Sequence, residues 1–445
     1  MDVETSVLHV FRQAAEEVPA YRRILAEAGV SPDAVENLDV FRQSVPLLEK
    51  ASTFGRFPLA DLCRGGDLGN PAWVLTSSGH SGRFAFGMYH ADTGGAAADR
   101  IDAALDAYFQ VASRSTLLVN CLPMGVKVYT RACTLAETSV REDMVTALMS
   151  GVAPSYDQTI LVGETAFIKR VLELGREQGV DWAGQRVQVV VGEEPLAENA
   201  RTYLASLLGI DPAQPETGRI ISTMGVAELG LNLFFEVQPL IALRRALHHD
   251  EAWRRRVLGS RGRHVPMLFT CDPQRLFPEV TGDGRLVVTV LDATRRLPLI
   301  RYVTGDRCDW LTLGDALPEA AERIGLPAAD LEALPILMVR GRGGPAGPDG
   351  MLLDPEPVKE GLYAEADLAA RTTANFRLRA AGKGWHVRVQ LAPGVAADAG
   401  LAGRYADAID RYAPVPVAVA CVEYGAFGSG MSLDYERKFD YLGEG

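Results

Sequence analysis

Residues 297–306 read LPLIRYVTGD, and the organisation of the chain follows from them. A β-rich run at 285–291 (RLVVTVL) precedes this stretch, and a second apolar run, 308–313, follows it. The β-branched and alternating patterns predict strands on both sides. Gly305 lets the backbone bend tightly, so Tyr302-Val303-Thr304-Gly305-Asp306 is expected at a strand-to-turn transition. Asp306, presented there, suits the acceptance of hydrogen bonds from two adjacent hydroxyls, such as a ribose diol. Taken alone, Thr304-Gly305-Asp306 reads as a common hairpin turn. The other stretches of the chain decide between the two.

With 445 residues, the chain is long enough for two or more domains with a sizeable core. Hydrophobic residues make up 47% and charged residues 23%, ordinary values for a globular protein. A net charge of −12 argues against nucleic acid or an anionic membrane as the main partner. It leaves a nucleotide site open, because backbone amides and a few cations build such sites locally. No apolar run of membrane-spanning length and no signal pattern at residues 1–25 is present, so a cytoplasmic location is expected. The six cysteines are scattered without a CxxC pair and read as buried thiols. Cys271, Cys308, His248, His249 and His264 lack the spacing of a metal signature. Lysine is scarce: Lys50, Lys127, Lys169, Lys359, Lys383 and Lys438 are the only six, so a required catalytic lysine has few candidates.

In chain order, residues 4–28 carry a helical apolar stripe, and Pro46-Leu47-Leu48-Glu49-Lys50 reads as a packing segment. The next stretch, WVLTSSGHSG at 73–82, runs from an apolar strand into a loop of hydroxyls and glycines. Its small residues let amides and the hydroxyls of Thr76, Ser77, Ser78 and Ser81, with Gly79 and Gly82, wrap phosphate oxygens. By itself such a loop reads as a linker. An Ala-rich helix at 93–115 leads to STLLVNCLPMG, a strand end and turn. Residues 187–191 (VQVVV) form a run that is apolar but for Gln188, the look of a buried parallel strand. It ends in Gly192-Glu193-Glu194-Pro195-Leu196, and a helix is expected over 197–208 with Glu198 at its start. A similar unit follows: strand 219–223, then Met224-Gly225-Val226-Ala227-Glu228. Ligands of open α/β sheets gather beyond the carboxyl ends of the strands. The glycines and prolines of 342–350 mark a linker, and 351–445 read as short strands (MLLDP among them) with one Ala-rich helix near 402–412.

The ordered set resembles the adenylate-forming (acyl/aryl-CoA ligase) superfamily, and the PLIRY lead-in is similar to its phenylacetate-CoA ligase-like branch. The resemblance implies an α/β fold: a large N-terminal α/β adenylation domain (1–341), a hinge (342–350) and a small mobile C-terminal α+β domain (351–445). It implies that Thr76, Ser77, Ser78, Gly79, Ser81 and Gly82 form the phosphate loop, and that the main chain of Gly192, Glu193, Glu194 and Pro195, with Met224 and Gly225, packs at adenine. Asp306 and Arg342 would hold the ribose, and Glu228 would carry Mg2+ and act in catalysis. Tyr129, Met124 and Gly125 would line the substrate pocket. Lys438 would be the catalytic lysine of the small domain; its plain reading is an exposed terminal charge. The implied chemistry converts ATP and a carboxylic acid, an aromatic one by default, to an acyl-adenylate and pyrophosphate. Mg2+ assists, and CoA is a possible acceptor. A carrier protein or amine acceptor stays open, as do a binding homologue without turnover and a homodimer. Departures from the pattern stand at His80, Arg83, Met224, Ala227 and Gly343. A dinucleotide-binding dehydrogenase is disfavoured, since no GxGxxG follows an early strand.

Overall fold

The computed structural model describes residues 2–77, 84–123, 126–212, 214–259, 263–342, 353–427 and 439–442; within 91–97 only the backbone is described. The expected helix at 4–28 is two helices, α1 (Val3–Glu17) and α2 (Pro19–Glu27), because Pro19 has no N–H to continue the first. Asp2 caps α1 by accepting from the Thr5 N–H. After α3 (Leu38–Ser44) comes the hairpin β1 (Trp73–Thr76) and β2 (Phe86–Tyr89), then the long helix α4 (Ala91–Phe109).

Six strands form the central sheet: β3 (Thr116–Asn120), β4 (Thr134–Glu137), β5 (Gln158–Gly163), β6 (Val187–Val191), β7 (Ile220–Val226) and β8 (Gly230–Phe235). Their order is β4-β3-β5-β6-β7-β8, parallel throughout except for the antiparallel β7–β8 pair. The intervening helices are α5 (Glu142–Gly151), α6 (Thr165–Glu177) and α7 (Glu198–Leu208). Both faces are covered, and this is why β6 reads VQVVV with little polar alternation. Val187, Val189 and Val191 join the main core with Leu161, Phe167 and Leu204, while Val162, Val190 and Ile221 face a second cluster with Leu105 and Phe109 of α4.

Helices α8 (Gln238–His249) and α9 (Glu251–Leu258) lead to a five-stranded antiparallel sheet. Its strands β9 (Met267–Phe269), β10 (Leu276–Val280), β11 (Arg285–Val290), β12 (Tyr302–Trp310) and β13 (Leu337–Val339) take the order β10-β11-β12-β13-β9. Helices α10 (Leu317–Ile324) and α11 (Ala328–Glu332) precede β13. The bend expected at Thr304-Gly305-Asp306 is not a chain reversal, because β12 runs through it as one strand. Val287 pairs with Val303 and Arg285 with Arg307, so extra residues bulge from β12 between these pairs, where Gly305 takes φ +90°.

The remaining residues form a small α+β unit. Helices α12 (Glu356–Leu362) and α13 (Ala366–Ala370) precede β14 (Thr372–Ala381), β15 (Gly384–Leu391), α14 (Ala399–Asp410) and β16 (Val417–Val422). The strand expected from MLLDP is absent over 353–355: these residues are irregular, and α12 follows, started by the Pro355–Glu356–Pro357 sequence. Among the described residues, no helix is long and apolar enough to cross a membrane.

Candidate active site

A cavity of about 460 Å3 opens at the carboxyl ends of β5, β6 and β7 and runs beneath α4. Its charged lining residues are Lys50, Glu193, Glu228 and Arg342. Glu228 stands in the turn between β7 and β8 and is 1% exposed. Its Oε1 accepts the Tyr302 hydroxyl at 2.6 Å and lies 3.6 Å from Lys50 Nζ. Burial, and then the Glu228 carboxylate, push the Tyr302 phenol far above its usual range, so it remains a donor. The turn itself is held from below: Arg295 donates to the carbonyls of Glu228 and Leu229, and Gly87 of β2 lies so near Ala227 that a Cβ there would meet the Ala227 carbonyl oxygen at 2.1 Å.

Lys50, read from the sequence as part of a packing segment, lines the cavity beside Glu228. Leu48 pairs with the start of β12 through Leu48 N to Arg301 O (3.0 Å) and Val303 N to Leu48 O (2.9 Å), so the supposed packing segment delivers Lys50 to Glu228. The scarcity of lysine was the one signal available for it.

Asp306 is nearly buried beside Arg342, with Arg342 Nε 3.5 Å from its Oδ1, and the bulge brings Thr304 Oγ1 to accept the Asp306 N–H at 3.2 Å. Thr76 and Ser77 both line the cavity. The Ser77 hydroxyl accepts the Ala85 N–H at 2.9 Å, and the Ser77 N–H donates to the Ala85 carbonyl, so Ser77 ties the neck of its loop. Ser78, Gly79, Ser81 and Gly82, with His80 and Arg83, lie outside the described residues, as do Met124, Gly125, Gly343 and Lys438.

Gly192 and Glu193 line the cavity, and Glu193 sits at φ +70°. Glu194 and Pro195 turn the other way, toward the small unit. Glu194 Oε2 lies 2.9 Å from Lys359 Nζ and accepts the Tyr441 hydroxyl at 3.0 Å. Gly225 lines the cavity, whereas Met224, one residue earlier on the pleated strand, packs against the main core. Tyr129, expected in the pocket, instead stacks on Trp73 at 4.3 Å between ring centres; its neighbours Val126 and Val128 line the cavity. Glu198 begins α7 as expected, and it is buried. Burial raises its carboxyl, but Arg201 (3.0 Å) and Arg244 (2.7 Å) outweigh that and hold it down to about 2.

The group that Glu228 is expected to hold is Mg2+, which takes few protein ligands and fills its shell with phosphate and water oxygens. A single buried carboxylate facing the cavity fits that demand; its Oε2 takes no hydrogen bond among the described residues. Among the described residues, no three His, Cys, Asp or Glu side chains gather as a protein-only metal site. Cys271 and Cys308 are free thiols, His248 stacks on Tyr412, and His264 pairs with Asp354.

No protein-family model matches the chain, and no curated protein matches it in sequence. Solved structures do match it in fold. The crystal structure of 2-hydroxyisobutyryl-CoA ligase in the postadenylation state with 2-HIB-AMP superposes at TM-score 0.69 and 14% identity, covering 100% of this chain and 89% of that one. The same enzyme with R3-HIB-AMP gives 0.68 at 13% identity, with the same coverage. Its open conformation with 2-HIB-AMP and CoA gives 0.56 at 14% identity, covering 100% of this chain and 91% of that one. The chain has the fold of an adenylate-forming ligase, a large α/β domain followed by a small α+β domain.

Proposed function

We propose that the protein activates a carboxylic acid with ATP, forming an acyl-adenylate and pyrophosphate, and then passes the acyl group to a thiol such as that of CoA. The observation that carries this reading is the junction of a deep apolar cavity with the Lys50–Glu228–Tyr302 cluster at its mouth. An acid entering tail first leaves its carboxylate among those charges. One carboxylate oxygen attacks the α-phosphorus of ATP, and the bond from that phosphorus to the pyrophosphate oxygen breaks. No side chain is needed as nucleophile; the work is positioning and charge neutralisation.

In this reading Asp306 accepts the ribose hydroxyls, with Arg342 beside it, and the loop beginning at Thr76 and Ser77 faces the phosphates. The Lys50 ammonium offsets negative charge building on the reacting oxygens. Glu228 would hold Mg2+, which would neutralise phosphate charge; Tyr302 keeps that carboxylate oriented. Residues 351–445 act as the mobile unit, turning about 342–350 between half-reactions and bringing Lys438 to the site. The similarity of fold to a CoA ligase solved with acyl-adenylates supports the chemistry.

The test is ATP–pyrophosphate exchange with Mg2+ across a panel of acids. Exchange that depends on one class of acid supports adenylation. Absence of exchange with every acid, in protein that still binds ATP by calorimetry, overturns it.

A further inference from the structure

Val162 of β5, Val190 of β6 and Ile221 of β7 lie on the cavity floor. Val162 pairs in register with Val190, and Val190 with Ile221. Register partners in parallel strands point off the same face, so these residues form a continuous aliphatic row across β5, β6 and β7. Their residual exposures of 7%, 8% and 5% contrast with the 0% of Leu161, Val189 and Val191, which point to the opposite face. The row's remaining exposure is to the cavity.

Helix α4 forms the opposite wall. Its cavity-lining residues Ile101, Ala104, Leu105, Tyr108 and Phe109 lie along a little over two turns, about 12 Å of helix axis. The direction is fixed at the far end, where Gln158, the first residue of β5, donates to the Phe109 carbonyl at 2.8 Å. The cavity therefore descends from the carboxyl ends of the strands toward their amino ends.

Two hydroxyls in this depth are engaged within the protein. The Tyr108 hydroxyl donates to the Glu236 carbonyl, and the Thr223 hydroxyl donates to Asn232 Oδ1 at 2.6 Å. The charged lining residues follow the ends of β6 and β7 or come from the second sheet and the Lys50 segment, all at the mouth. A second charge on the substrate would be buried among aliphatic side chains with no charged partner among the described residues, which is costly. An aromatic ring joined closely to its carboxyl would fill the upper turn and leave the lower part of the slot empty.

Resting on the adenylating function above, we propose that the acid is an extended aliphatic one. Its hydrocarbon chain lies between α4 and the Val162–Val190–Ile221 row, and these three side chains set the chain length accepted.

The experiment is pyrophosphate exchange with straight-chain acids from butyrate to myristate, beside phenylacetate, benzoate, succinate and β-alanine. KM should fall about fourfold for each added methylene until the slot is filled, with kcat changing little. Val190→Phe should move the optimum to shorter acids, and Val190→Ala to longer ones, so that failure of one variant to fold leaves the other to decide. A panel led by phenylacetate, benzoate, succinate or β-alanine overturns the inference while leaving adenylation standing. So does a length preference untouched by both substitutions. No exchange with any acid overturns adenylation itself.

Discussion

The Glu360 carboxylate accepts the backbone N–H of Glu198 through Oε1 at 2.9 Å and that of Asn199 through Oε2 at 3.0 Å. These are the first two N–H groups of α7, whose own N-cap, Ala197, offers no side-chain acceptor. The cap therefore comes from α12 in the small unit, more than 160 residues later in sequence. Asn199 completes the joint by donating to the Glu360 carbonyl (2.9 Å) and to the Tyr412 hydroxyl (2.8 Å). Glu360→Ala removes a charged cap at a buried helix start and should cost about 2 kcal/mol of stability. Denaturant unfolding measures it; an unchanged midpoint would show that water replaces the carboxylate at no cost.

Tyr302 holds Glu228 by a hydrogen bond to a charged group, worth about 2 kcal/mol. Tyr302→Phe should lower exchange activity by roughly thirtyfold if that carboxylate must be oriented. Lys50→Met should lower kcat further while leaving the melting temperature nearly unchanged, because Lys50 is partly solvent-exposed. A Lys50→Met protein with normal kcat would reassign the lysine to packing.

Asp306→Ala removes the ribose acceptor and the partner of Arg342. ATP affinity by calorimetry should fall about a thousandfold, the loss of two hydrogen bonds to a charged group. Unchanged affinity would sink the ribose assignment.

A buried acidic cluster gives the joint between the two units a pH dependence. Burial pushes the Glu356 carboxyl up to about 7, with Lys359 opposing and Asp354 adding to it. Burial, followed by the charges of Glu194 and Glu193, raises Glu164 in the same direction. A carboxyl whose folded pKa lies above its ordinary value of 4.5 binds its proton more tightly when folded. Its contribution to stability is complete below that value and is lost as pH rises through about 7. The thermal midpoint should accordingly fall from mildly acidic to mildly alkaline pH, and Glu356→Gln should flatten the fall. Parallel profiles for the two proteins would refute this.

Gly87 touches the turn that carries Glu228, where an added Cβ would lie 2.1 Å from the Ala227 carbonyl oxygen. Gly87→Ala must push that turn away, at about 1–3 kcal/mol. Activity should fall along with stability, because the displaced turn is the one that aims Glu228. Full activity in the variant would mean that β2 yields instead.

The sequence by itself determined the elements whose signal is local. The valine-rich β6 is a buried parallel strand because both faces of the central sheet are covered, which leaves apolar residues at every position but Gln188. The apolar stripe at 4–28 is helical as read, though Pro19 divides it into two helices, a local signal that the spacing alone does not carry. The strands of the small unit follow from their alternation. Tertiary structure decided the rest, because it depends on partners distant in the chain. Residues 302–310 are a bulged strand and not a turn, since the register of β11 leaves the residues around Gly305 unpaired. Glu194 faces Lys359 and Tyr441, while Glu193 beside it faces the cavity; the backbone turn at Glu193, φ +70°, parts the two. Lys50 reaches Glu228 because Leu48 pairs with a strand that begins more than 250 residues later. The row of Val162, Val190 and Ile221 exists only once three strands lie side by side in register. Local spacing carries no record of such pairings, and the free energy that fixes them comes from burying both partners together.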